Sequence, residues 1–158
     1  MAERLYHMGL TVTDIRRSYD FYHDLAGMEI NLAAASEESE TEDIGGVEFF
    51  IARSETFAKM THNPGCEIKY AYLQTADNNF TLQIIQYIVG GGEPAPLEHN
   101  RAGSPHLCFF VDDINEKLRQ CEEHGAKITS ELVHFPPNLH NFYAEDPDGM
   151  PVEFIELR

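Results

Sequence analysis

Two histidines, a glutamine and a glutamate carry the chemistry this chain could do. His7 opens the stretch His7-Met-Gly-Leu-Thr-Val12-Thr-Asp14-Ile15, and His106 opens His106-Leu-Cys-Phe-Phe-Val111-Asp-Asp113-Ile114, 99 residues later. His, Val, Asp and Ile keep one spacing, so the chain reads as two copies of one supersecondary unit. Near the end of each copy, Gln83-Ile-Ile-Gln86 and Glu153-Phe-Ile-Glu156 occupy matching places. Two imidazoles, a carboxylate and an amide oxygen suit an octahedral divalent ion that keeps two positions open. Open positions are what Lewis-acid catalysis requires, because substrate oxygens can then bind the ion directly. A lone strand histidine is ordinarily structural. Two at duplicated positions, each with a polar partner on a closing strand, point to a metal. Without one, a carboxylate buried beside two histidines would cost several kcal/mol or shift its pKa.

Positioning these groups falls to strands and helices that the pattern spells out twice. Residues 5–12 alternate, with Tyr6, Met8, Leu10 and Val12 on one face and His7, Gly9 and Thr11 on the other. Asp14 caps a helix whose apolar stripe is Ile15, Tyr19, Tyr22 and Leu25, and Gly27 ends it. The second copy repeats the plan with Leu107, Phe109 and Val111, then Asp113 and Glu116 as a capping box, then Ile114, Leu118 and Cys121, and Gly125 as the stop. Strands are predicted at Met28–Ala34, Val47–Ala52, Glu67–Thr75 and Thr81–Val89, and again at Ala126–His134, His140–Glu145 and Pro151–Leu157. The apolar faces of the first strands should pack on the helices, leaving His7 and His106 on the opposite face. Gln83, Ile85 and Tyr87 share one face of a closing strand, and Glu153, Ile155 and Leu157 share the corresponding face of the other. If each sheet curls and a pseudo-twofold relates them, His7, Gln83, His106 and Glu153 converge.

The expected organisation is a first module over 1–90, a Gly- and Pro-rich linker over 91–104 and a second module over 105–158, forming one compact domain. His7 and Gln83 are 76 residues apart but His106 and Glu153 only 47, so the first module carries an insertion near 33–66. Within it, Ser36–Asp43 holds five acids and no base and is expected to be a solvated, self-repelling loop. The net charge of −16 with 11 Lys and Arg argues against nucleic-acid binding, which needs a basic face. No apolar run reaches eighteen residues, so no membrane span is expected. Three cysteines at unrelated spacings suggest neither a disulfide framework nor a Cys zinc motif, which favours a cytoplasmic protein. Phosphate-loop, dinucleotide, serine-hydrolase and zincin signatures are absent from the sequence.

The pattern His7-x4-Val12-x-Asp14-Ile15-x2-Ser18-x2-Phe21-Tyr22-x4-Gly27, followed by His106-x4-Val111-Asp-Asp113 and Asp146-Pro-Asp-Gly149-x3-Glu153, resembles the vicinal oxygen chelate superfamily. That group includes glyoxalase I, methylmalonyl-CoA epimerase, bleomycin-resistance proteins, fosfomycin-resistance transferases and extradiol dioxygenases. The resemblance implies an α+β fold, two tandem βαβββ modules forming a curled mixed-sheet cup around one divalent metal (Ni, Co, Mn, Zn or Fe), usually in a homodimer. It places the ligands at His7, Gln83, His106 and Glu153. Gln at the second position leans toward the epimerase, argues against the fosfomycin transferases, and two modules rather than four weaken the dioxygenase reading. The implied activity is a lyase or isomerase acting on a small oxygenated molecule, with Glu153 as the base that moves a proton and the metal stabilising an enediolate. Thr11, Glu67, Lys69, Tyr87, Phe110 and Ile155 are the expected substrate-lining residues. The alternative, from the bleomycin-resistance branch, is a metal-free protein that sequesters a small molecule, and the net negative charge suits a cationic one.

Overall fold

The computed structural model describes residues 3–34, 40–94, 97 and 100–158. Its elements run β1 (Met8–Thr11), α1 (Ile15–Ala26), β2 (Glu29–Ile30), β3 (Glu40–Asp43), β4 (Glu48–Ala52), α2 (Glu55–Thr61), β5 (Glu67–Gln74) and β6 (Thr81–Val89). There follow β7 (Leu107–Phe110), α3 (Ile114–Glu123), β8 (Lys127–Ile128), β9 (Val133–Phe135), β10 (Leu139–Glu145) and β11 (Pro151–Leu157). The fold is α+β, with two mixed sheets. Contacts divide the chain into two compact units, Met1–Glu93 and Pro94–Arg158.

In the first unit the strand order is β1-β6-β5-β4-β3, with β2 also on β5. β1 runs parallel to β6 and β5 antiparallel to it. The second unit repeats this as β7-β11-β10-β8, with β9 also on β10 and β7 parallel to β11. Each helix lies on one face of its own sheet. From α1, Ile15, Phe21, Tyr22 and Leu25 are buried, as are Ala71 and Leu73 of β5 and Leu82 and Ile84 of β6. From α3, Ile114 and Cys121 are buried, as are Phe142 and Ala144 of β10 and Val152 and Phe154 of β11. Fully burying one such large apolar side chain stabilises by about 1.5–3 kcal/mol, which clamps helix to sheet.

Helices α1 and α3 begin alike, and a left-handed glycine closes each. Asp14 accepts from the Arg17 amide and Asp113 from the amides of Asn115 and Glu116. A second acceptor reaches each first turn from the closing strand: Gln86 Oε1 takes the Ile15 amide at 3.1 Å, and Glu156 Oε2 takes the Ile114 amide at 3.0 Å. Gly27 ends α1 in the left-handed region at φ 64° and Gly125 follows α3 at φ 69°. There a β-carbon would be strained.

Three expectations are corrected. Ser36–Asp43 is not wholly a loop: residues 36–39 lie outside the described residues, but Glu40–Asp43 forms β3 against β4. Its acids meet cations from distant sequence, Glu40 with Arg53 at 2.6 Å and Glu42 with Lys69 at 2.8 Å, which relieves the self-repulsion. The strand expected over Met28–Ala34 stops at Ile30. The Asn31 side chain accepts from the Ala33 amide and bends the chain into a 3₁₀ turn over Leu32–Ala34. The strand expected over Ala126–His134 is broken into β8 and β9, because Ser130 Oγ takes the Tyr143 amide in place of a ladder carbonyl. The expected linker 91–104 includes Ala95, Pro96, Glu98 and His99, which also lie outside the described residues.

Candidate functional site

Strand register decides which side chains share a face. In the first unit Gly9 pairs with Gln83, Thr11 with Ile85, and Gln83 on its other side with Tyr72. The sheet face turned away from α1 therefore carries Thr11, Gln83, Ile85, Tyr87, Tyr72 and Tyr70. His7, the residue before β1, joins them, with its ring edge-on to Tyr72 at 5.5 Å and 71°. Its Nδ1 is buried and has no hydrogen-bond partner. The Gln83 amide donates to the Tyr72 hydroxyl oxygen. Its Oε1 lies on the β1 side, 4.0 Å from where a β-carbon on Gly9 would stand. Tyr72 titrates above the ordinary phenol value chiefly because it is partly buried, with the Gln83 hydrogen bond acting the other way. Along the same face Phe50, Ile68 and Tyr70 make an apolar floor, packed by Ile85, Tyr87 and by Phe57 of α2.

The second unit builds the equivalent arrangement. Glu153 pairs with Cys108 on one side and Tyr143 on the other, and Ile155 pairs with Phe110. His106 precedes β7 as His7 precedes β1. Its ring stands edge-on to Tyr143 at 5.9 Å and 69°, and its Nε2 lies 3.8 Å from Glu153 Oε2. Asn141 Nδ2 donates to Glu153 Oε1 at 2.6 Å. The Tyr143 hydroxyl and the Cys108 thiol also donate to this carboxylate. Burial first, and the neighbouring carboxylate second, push Tyr143 up to about 12 and Cys108 up to about 12.

Of the expected site residues, the structure brings together His7, Thr11, Gln83 and Tyr87 in one unit, and His106, Phe110, Glu153 and Ile155 in the other. Lys69 stands apart: it pairs in register with Ile51 and Gln86, on the helix-side face, and is bound to Glu42. Glu67 sits at an irregularity in the β5–β6 register and accepts from Arg53 at 3.1 Å. It borders a separate cleft of about 820 Å³ beside α2, lined also by Ser54, His62 and Cys66. Sequence reasoning missed Tyr72 and Tyr143, the tyrosines beside Gln83 and Glu153, and Asn141 and Cys108. The signal was present: each tyrosine precedes its Gln or Glu by one turn between antiparallel strands, 11 residues in one copy and 10 in the other. Within either unit, among the described residues, no three His, Cys, Asp or Glu side chains form a ready metal cluster.

Residues 4–154 match the family model of the glyoxalase/bleomycin resistance protein/dioxygenase superfamily. The chain belongs to that superfamily. Its members are the vicinal oxygen chelate proteins, and this is one of them. Among its relatives, an uncharacterized protein of Bacillus subtilis, YwbC, is 28% identical over 99% of both chains. A lactoylglutathione lyase of Haemophilus influenzae is 25% identical over 97% of this chain and 92% of its own. A lactoylglutathione lyase of Schizosaccharomyces pombe is 26% identical, and there the match spans 47% of the longer protein. Among solved structures, a glyoxalase family protein from Bacillus cereus superposes with a TM-score of 0.81 at 16% identity, over 99% of this chain and 95% of that one. A point mutant of the fosfomycin resistance protein FosX of Listeria monocytogenes, solved with Mn(II) and 1S,2S-dihydroxypropylphosphonic acid, superposes at 0.64 with 14% identity, over 100% of this chain and 95% of that one. At such identities the superpositions speak for the fold. No helix among the described residues is long and apolar enough to cross a membrane.

Proposed function

We propose that this chain is a divalent-metal-dependent lyase or isomerase of the glyoxalase I or methylmalonyl-CoA epimerase type, acting as a cytoplasmic homodimer on a small oxygenated substrate. His7, Gln83, His106 and Glu153 are its proposed ligand set for one ion (Ni, Co, Mn, Zn or Fe). The observation that carries this reading is the duplicated His–Tyr–Gln and His–Tyr–Glu arrangement, each on the sheet face opposite its helix. The donors fit such an ion. The His7 Nδ1 is buried without a partner, an unsatisfied state that native proteins rarely tolerate, and the Gln83 Oε1 lies on the β1 side, 4.0 Å from where a β-carbon on Gly9 would stand. When bound, a divalent ion supplies Lewis acidity that stabilises negative charge developing on two adjacent substrate oxygens.

The remaining work belongs to the chain's own side chains. Glu153 is the proposed base, taking the proton from the carbon beside the substrate carbonyl and returning it. Asn141 and Tyr143 hold that carboxylate in one orientation, so little reorganisation accompanies proton transfer. Gln83 cannot take a proton, so within the proposed ligand set proton movement is confined to the Glu153 side. Thr11, Tyr87, Phe110 and Ile155 are the proposed substrate walls, and the Phe50–Ile68–Tyr70 floor adds apolar surface in the first unit.

Elemental analysis of untagged protein beside Glu153→Ala tests the reading. About one divalent ion per chain in the wild type, lost in the variant, is expected. Deuterium exchange into 2-oxoaldehyde–thiol adducts and 2-substituted acyl thioesters should then follow. If no ion binds after incubation with nickel, cobalt, manganese and zinc, the metal reading falls. The metal-free sequestering protein would replace it, and cationic small molecules would be screened by calorimetry.

A further inference from the structure

We propose that Tyr72 and Tyr143 are paired positioning residues: each is wedged between the histidine and the closing-strand ligand of its own unit and fixes the orientation of that ligand's oxygen. This rests on the proposed ligand set and assigns a role to residues outside it. Three observations carry it, and each occurs twice.

The first is register. Tyr72 is directly across from Gln83, and Tyr143 directly across from Glu153, on antiparallel neighbours. Side chains so placed point to one face with their β-carbons about 4.5–5.5 Å apart, so contact follows from the backbone. The second is ring geometry. The His7–Tyr72 and His106–Tyr143 pairs are both edge-on, at 71° and 69°, with centroids 5.5 and 5.9 Å apart. Each tyrosine therefore braces a histidine with its ring while its hydroxyl engages the neighbouring ligand.

The third is the hydroxyl's chemistry. Each tyrosine has its closing-strand neighbour, Gln83 or Glu153, as a side-chain hydrogen-bonding partner. A phenol oxygen both donates and accepts, so it can take an N–H from an amide or give its O–H to a carboxylate. With Gln83, the outcome is specific. An amide has one metal-binding end and one that repels cations, and anchoring Nε2 on Tyr72 leaves Oε1, which lies on the β1 side, for a cation. With Glu153 the two oxygens are equivalent, so what Tyr143 fixes is the plane of the carboxylate. One residue type at one register position thus serves two different ligands. Groups that orient metal ligands in this way typically change metal affinity by about 10–100-fold when removed.

The test uses the full chain with cobalt(II) as the probe. Affinity is read by competition with a chromogenic chelator, and ligand geometry by the visible absorption of the bound ion. Tyr72→Phe and Tyr143→Phe keep the rings and remove only the hydroxyls. Each is expected to weaken cobalt binding by about tenfold or more and to shift the visible bands. Tyr19→Phe, on α1 and outside the site, should bind as wild type. Thermal melts in EDTA separate positioning from general destabilisation: both Phe variants should be fully folded at the temperature where their cobalt affinity is weakened. Wild-type affinity and spectrum in both Phe variants, or weakening seen only where a variant is partly unfolded, would overturn the assignment and leave the ligand set intact. Failure of the wild-type chain to bind cobalt would overturn the ligand set and this inference with it.

Discussion

Replacing Glu153 by leucine and by glutamine asks what the carboxylate does for the fold when chelator has removed any metal. Three donors converge on it, from Asn141, Tyr143 and Cys108. The Asn141 side chain is the most confined, in a residue only 8% exposed, while Cys108 is exposed and can turn to water. Leucine fills the volume but accepts nothing. The Asn141 amide is then orphaned, at about 1–3 kcal/mol for a fully buried donor and less for one that water reaches. Apolar burial by the new side chain returns part of that, so Glu153→Leu should cost about 2 kcal/mol net. For a chain of this size that lowers the melting temperature by about 4–8 °C. Glutamine keeps an oxygen for Asn141 and offers its amide nitrogen to the Tyr143 hydroxyl, as Gln83 does to Tyr72, so Glu153→Gln should stay within about 1 kcal/mol of wild type. Thermal melts followed by circular dichroism in the presence of EDTA measure both. Equal melting temperatures for the two variants would refute the reasoning, since the donors would then not depend on an oxygen at this position.

The duplicated helix caps make a second prediction. Gln86→Leu should cost about 1 kcal/mol by removing the acceptor of the Ile15 amide, measured by urea unfolding. At the equivalent Glu156, the Arg158 guanidinium first, and the Ile114 amide second, hold the carboxyl below its ordinary range. Its stabilisation should therefore be complete above pH about 4.3 and disappear as pH falls through the lower folded value, so wild type and Glu156→Gln converge in acid unfolding. The opposite sign applies to His23, which Asp24 first, and Glu29 after it, hold above its ordinary value. Its advantage over His23→Gln should be full below pH about 6.5 and fade as pH rises through the folded value, read from unfolding free energies across pH 5 to 9.

How far the chain could be read from its residues divides along a physical line. Both β–α units were legible because each is local: an alternating strand, an aspartate cap, an apolar helical stripe and a stop glycine lie within about two dozen residues. Legibility failed where long-range partners decide. The Glu40–Asp43 segment looks self-repelling in sequence, and only Arg53 and Lys69 make it a strand. Lys69 looked like a substrate contact on position alone, but register turns it to the helix side. Helix α2 is a different case, for its signal was present: Ser54 caps the Phe57 amide and Glu55 stands in the first turn. It is short and lies among residues read as an insertion. Tyr72 and Tyr143 needed a cross-strand register that alternation supplies only once the turn between strands is counted correctly.

Both units share one frame: the Val12 amide bonds the Ile85 carbonyl and the Val111 amide the Ile155 carbonyl, each at 2.8 Å, and a closing-strand side chain caps each helix. Against that constancy, the difference between Gln83 and Glu153 is a chemical choice about charge. On the proposed ligand set, two neutral imidazoles, an amide and one carboxylate leave a divalent ion with a net charge of about +1. A second carboxylate would neutralise it. Gln83→Glu should therefore bind cobalt more tightly while polarising a bound carbonyl less, so affinity rises as proton-exchange activity falls. The fold should accept the change, because the Tyr72 hydroxyl need only rotate from accepting to donating, as Tyr143 does beside Glu153. Chelator competition and deuterium exchange, measured on the same preparation, follow the two effects separately. Weaker cobalt binding in a variant that melts like wild type would show that position 83 is not a ligand, and the charge argument would fail with it.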